Sequence, residues 1–139
     1  MKTTTENNRL IAEFMGNTPY LNKKGLYEYM AGEKAPIVST GIEGIWDWLL
    51  KYRLSYDSNW NELMPVVEKI ERLGYFIMAY EFIDDETNKK SGEFWAQVSN
   101  NLSVSIDSLI NITGCSSKKE ATYKAVVQFI EWWNEQKEK

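Results

Sequence analysis

Histidine is absent from all 139 residues, and cysteine occurs once, at Cys115. Without an imidazole, Ser-His-Asp and Cys-His nucleophilic sites are excluded, as are zinc sites that use histidine. A lone thiol excludes thiolate zinc sites and iron–sulfur clusters within one chain, and it cannot form an internal disulfide. Neither G-x-G-x-x-G nor G-x-x-x-x-G-K-[ST] occurs, so the standard dinucleotide and P-loop phosphate cradles are missing. The longest uninterrupted apolar run is Tyr75-Phe76-Ile77-Met78-Ala79-Tyr80. A membrane-spanning helix needs about 20 such residues. Nothing after Met1-Lys2-Thr3 reads as a secretion signal. The expectation is a cytoplasmic protein with no membrane segment, no cofactor, no metal and no enzymatic activity.

Positive charge is also in short supply. The chain has 16 basic and 20 acidic residues, for a formal charge of −4, and no basic block. Affinity for phosphate backbones comes mainly from Lys and Arg, so direct nucleic-acid binding is not expected. An acidic surface suits a basic partner surface, although acidity also serves plain solubility. The carboxylates that remain give little chemistry. Glu81, Asp84, Asp85 and Glu86 cluster where oxygen ligands could gather round a hard cation. Lys89 and Lys90 follow at once, however, and the calcium-loop pattern is absent, so a solvated hairpin tip is the preferred reading. Glu43 and Asp47, at i and i+4, read as the polar side of a helix. Cys115 precedes a helix start, where a dipole lowers a thiol pKa, but it has no histidine to act as its base.

What the chain does have is periodicity. Leu10, Ile11, Phe14 and Met15 recur at helical spacing, and Gly16 follows as a stop, which predicts a helix over residues 5–15. The aromatic alternation around Tyr27 and Tyr29 reads as a short strand within residues 25–30. Thr40-Gly41-Ile42-Glu43 is a capping box, and Ile42, Ile45, Trp46, Leu49 and Leu50 continue it as one helix face. Residues 52–56 could be extended. Trp60, Leu63, Met64, Val67, Ile70 and Leu73 mark a further helix closed by Gly74. Pro65 lies inside it, so a tight turn over residues 59–63 is expected, with regular helix only from Met64 or Pro65. Residues 75–83 and 93–99 predict an antiparallel hairpin around a long polar loop. Leu102, Val104 and Ile106 alternate as a third strand, and residues 109–112 are ambiguous. Ser117-Lys118-Lys119-Glu120 is a second capping box. It opens a helix to about Asn134 with Tyr123, Val126, Val127, Ile130 and Trp133 on one side. Together these elements predict a single α+β domain over residues 1–139. It is a small antiparallel sheet flanked by helices, α/β/α sandwich-like, with amphipathic helices at both ends.

Six tryptophans and eight tyrosines in 139 residues ask for an account, and most of them can be core. Both residue types are favoured at binding hot spots, though Trp is also buried on average. Trp46, Trp60 and Trp133 lie on their helix stripes. Trp48 falls at the edge of one, Trp132 lies off one, and Trp95 points away from Phe94 and Ala96 on its strand. Trp48 and Trp132 are therefore candidate partner contacts.

Three blocks carry a family resemblance. Residues 8–16 (NRLIAEFMG), 60–71 (WNELMPVVEKIE) and 121–134 (ATYKAVVQFIEWWN) resemble, in the same order, small uncharacterised phage and prophage proteins of Bacteroidetes-type bacteria. The set is similar to the phage ABA-sandwich group, in which helices flank a sheet. Over residues 18–56 the chain departs from that pattern, with a capped helix where the group has strand. The resemblance supplies no catalytic residues. It implies a phage-encoded, non-enzymatic inhibitor of a bacterial defence system, of anti-CRISPR type, whose partner is a host protein such as an RNA-guided effector nuclease. Under this reading Trp48, Trp132, Asp84, Asp85 and Glu86 are the partner-binding candidates. The alternatives are an oligomeric sponge that sequesters a nucleotide signal at a subunit interface, which requires a homo-oligomer, and a phage accessory protein of another role.

Overall fold

The structure, a computed structural model, describes residues 2–21, 27–29, 33–34, 41–84, 86–100 and 109–138. The fold is α+β, and the backbone forms two compact units, Met1–Tyr56 and Asp57–Lys139.

The first unit opens with α1, Thr4–Met15. Thr3 caps it by accepting the Glu6 N–H at 3.1 Å. Gly16 ends it at φ 76, and the Asn17 N–H returns to the Ala12 carbonyl at 2.8 Å. A left-handed residue at this position satisfies the last carbonyls with no Cβ penalty, as the sequence suggested. Three short strands follow: β1 (Tyr20–Leu21), β2 (Tyr27–Tyr29) and β3 (Glu33–Lys34), joined antiparallel in that order. Helix α2, Gly41–Tyr52, packs on α1. Thr40 of the expected capping box lies outside the described residues. Ile45, Trp46 and Leu49 are buried, whereas Ile42 is exposed. The expected extended stretch at 52–56 is not there. Tyr52 is the last residue of α2, and Arg53 and Leu54 both donate to the Leu49 carbonyl at 2.8 Å, folding the chain into a closing turn. Leu54 and Tyr56 are thereby buried, and the buried Asn8 amide donates to the Leu54 carbonyl at 3.4 Å.

In the second unit, α3 runs Trp60–Arg72 as one α-helix with Pro65 inside it. The opening turn is present, with Glu62 and Leu63 both donating to the Asn59 carbonyl, but regular helix starts at Trp60 and not at Met64. The N–H that Pro65 lacks would have served the Asn61 carbonyl. Asn61 and Pro65 are both exposed, so water can take that bond. The buried stripe is Leu63, Val66, Val67 and Ile70, while Trp60, Met64 and Leu73 are exposed. Those four buried positions follow i, i+3, i+4, i+7, so the stripe is narrower than the sequence suggested and is centred between Leu63 and Ile70, with Val66 and Val67 at its edges.

A three-stranded antiparallel sheet follows in the order β4 (Tyr75–Ile83), β5 (Lys90–Asn100), β6 (Ile110–Cys115). The hairpin loop is shorter than expected, because β5 begins at Lys90. The third strand is built from the ambiguous segment, whereas the expected strand at Leu102, Val104 and Ile106 lies outside the described residues. Helix α4, Lys118–Lys137, packs across all three strands and against α3. Its buried set includes Ala121, Thr122, Ala125 and Phe129 as well as Tyr123, Val126, Val127 and Ile130 of the expected stripe; Trp133 is only half-buried, and Lys124 and Gln128 are exposed. Among the described residues no helix is long and apolar enough to cross a membrane.

Candidate functional site

The expected acidic site resolves first into turn geometry. Asp84 Oδ1 accepts the Glu86 N–H at 2.9 Å, and the Asp84 carbonyl accepts the Asn88 N–H at 2.7 Å. Asn88 sits at φ 56, a region that Asn tolerates better than most residues. Glu81 is spent on the backbone as well. Its Oε2 accepts the Gly92 N–H at 3.0 Å, across a register shift where Gly92 stands at φ 79. Glu86 is exposed, and Asp85 lies outside the described residues. Among the described residues no group of three or more carboxylate or thiol side chains is placed to hold a metal ion.

The two tryptophan candidates lie in different units. Trp48, half-buried on α2, has the Tyr52 ring 6.4 Å away and the Arg53 guanidinium 5.4 Å above its own ring. Trp132, half-buried on α4, packs edge-on to Tyr75 at 5.7 Å and against Phe129 at 5.8 Å. Tyr75 also touches Trp133, at 6.2 Å, so Trp132 belongs to a four-ring cluster at the start of β4. Asp84 follows the far end of the same strand, about 30 Å away at a strand rise of ~3.3 Å per residue. Trp132 and the acidic tip therefore do not form one patch.

Sequence reasoning placed the β4–β5 hairpin of this sheet but did not single out either of its faces. Register pairs Ile77 with Val98, Ala79 with Ala96, Ala96 with Ile112 and Val98 with Ile110. Ala96, Val98, Ile110 and Ile112 are all buried, which marks this face as the one under α4. The pleat sends Phe76, Met78, Tyr80 and Phe82 to the other face, beside Trp95, Gln97 and Ser99. None of those side chains is buried: Phe76 is 40% and Met78 58% exposed. Trp95 lies flat on Phe82, with centroids 4.5 Å apart and planes 13° from parallel, and Tyr80 leans on Trp95 at 6.4 Å. The Trp95 indole N–H donates to Glu93 Oε1 at 3.0 Å. Opposite Trp95, β6 carries an extra residue, and Gly114 at φ 72 supplies the left-handed step such a bulge requires.

Carboxylates outnumber bases around this sheet: its strands contain Glu81 and Glu93 against Lys90, and Asp84 and Glu86 stand with Lys89 at the tip. A signal for it was present: residues 75–83 are apolar at odd and even positions alike, whereas a strand with one wet face alternates.

Cys115 ends β6 and is buried. Burial pushes its thiol pKa up and the charges of Glu120 and Glu93 add to this, with Lys124 opposing. The helix start beside it does not make it a thiolate. No family model, curated protein or solved structure matches this chain significantly.

Proposed function

We propose that this chain is a phage- or prophage-encoded binding protein without enzymatic activity, and that it inhibits a bacterial defence system by occupying the basic surface of an effector nuclease, in the manner of an anti-CRISPR. The observation that supports this best is the face of the three-stranded sheet turned away from α4. Exposed Phe76 and Met78, a Tyr80–Phe82–Trp95 aromatic group and carboxylates at its end make a flat, apolar, acid-edged surface. Soluble chains rarely leave such a contiguous patch without a partner. The formal charge of −4 favours a basic partner. Asp84 and Glu86 extend this surface at the tip, while Trp48 and Trp132 are separate candidate contacts.

The reading is tested by phage plating on a host with an active RNA-guided defence system, with and without the expressed protein. Restored plating, together with stoichiometric co-purification of the effector, is the expected result. Unchanged plating across the host's defence systems would reject the reading. Alanine substitutions at Met78, Asp84 and Glu86 are expected to weaken inhibition without unfolding the protein, since all three side chains are at least partly in solvent.

A further inference from the structure

The chain shows in its own first unit how it holds a guanidinium. The Arg9 guanidinium lies 4.5 Å over the Trp46 ring. Its Nη1 and Nη2 reach the two Glu43 oxygens at 3.0 and 3.3 Å, and its Nε reaches Glu13 at 3.1 Å. An indole face and a carboxylate at its border make the seat, and they suit arginine because its plane can stack while its N–H groups bond sideways. The sheet face offers the same pair of groups. Trp95 is stiffened from one side by Phe82, and its indole N–H fixes Glu93 beside the ring, with one oxygen engaged and the other available as an acceptor.

We infer that Trp95 and Glu93 form an arginine seat, which takes an arginine side chain from a basic segment of the partner protein lying across the sheet. This rests on the inhibitor reading for the identity of the partner, but not for the chemistry of the seat. Charge selects the occupant. Glu93 stands beside the ring, and at the tip Asp84 and Glu86 outnumber Lys89, so an anionic polymer or an acidic lipid surface is disfavoured. Lysine fits less well, because a compact ammonium cannot lie flat on the ring and bond the carboxylate at its edge at the same time.

The test uses the full-length protein labelled with 15N and follows its indole N–H resonances, with that of Trp95 assigned from Trp95→Phe. The probes are a peptide of alternating arginine and glycine, and its lysine counterpart of equal charge. The arginine peptide is expected to move the Trp95 resonance progressively, with the lysine peptide at least several-fold weaker. Glu93→Gln keeps the oxygen that accepts the indole N–H but removes the charge, and should weaken binding about tenfold, the equivalent of ~1.4 kcal/mol. Equal response to both peptides overturns the seat in favour of simple charge attraction. So does an unmoved Trp95 while other resonances shift, or a Trp95 shift produced by raising the protein concentration alone, which would make a second copy the occupant. Both variants also enter the plating assay. Full inhibition by Glu93→Gln and Trp95→Phe overturns the seat and leaves the inhibitor reading standing. Selective arginine binding at Trp95 in a protein that restores no plating supports the seat and retires the inhibitor reading.

Discussion

Glu120 answers two donors of one residue at the start of α4. Its Oε2 accepts the Ser116 N–H at 2.9 Å and the Ser116 hydroxyl at 2.6 Å, while Ser117 Oγ accepts the Glu120 N–H at 3.1 Å. The capping box read from the sequence is thus real but reaches one residue further back than the motif implies. These bonds, with Lys124 at 3.0 Å, hold the Glu120 pKa at about 2, against an ordinary value of 4.5. The folded state therefore binds fewer protons than the unfolded chain between those two values. The contribution is complete above about pH 4.5 and is lost as pH falls through about 2. Glu120→Gln is expected to lower stability at neutral pH by about 1 kcal/mol, trimmed by solvent screening at this partly exposed site. Its melting curve should converge with that of the wild type toward pH 2. Arg9→Lys keeps the charge but loses the planar fork over Trp46 and Glu43. Chemical denaturation should show a loss of about 0.5–1 kcal/mol.

Helices were legible where their ends carry caps and stops. Thr3–Gly16, Trp60–Arg72 and Lys118–Lys137 were each placed within a few residues, because caps and 3.6-residue periodicity are local signals. Pro65 misled because its missing N–H and its ring normally break a helix interior, whereas α3 runs through it with the freed Asn61 carbonyl on an exposed side. Restoring an N–H there with Pro65→Ala should therefore raise the melting temperature. The gain, about 2 kcal/mol, is what remains of helix propensity after the added freedom of the unfolded chain is subtracted. The opposite is expected on α4. Phe129 is fully buried beside Tyr75, at 4.9 Å, and Phe129→Ala should cost about 3–5 kcal/mol, read from the shift of the denaturation midpoint. The open sheet face stayed hidden for a different reason. Which side of a two-faced apolar strand is covered depends on where a helix some 40 residues later in sequence comes to lie, and no local pattern encodes that.

For the whole molecule, net charge was legible from composition, but the aromatic sheet face beside the acidic tip needed the pairing of Tyr80 with Trp95 and of Phe94 with Cys115. If that face meets a basic partner, association should slow steeply as salt rises while dissociation changes little, measurable by surface-immobilised kinetics on the co-purified effector. The candidate contact residues are spread apart in the fold. Asp84 and Glu86 lie next to the open face, whereas Trp132 is engaged in ring packing at the strand's other end. That ring packing carries a consequence of its own. Tyr75, Phe129, Trp132 and Trp133, with centroids 4.9 to 6.5 Å apart, are held in a fixed, asymmetric array. Such an array gives near-ultraviolet circular dichroism that vanishes once side chains lose their fixed packing, even while helices persist. The protein thus carries its own optical gauge, which tells a variant that has lost binding from one that has lost its tertiary order.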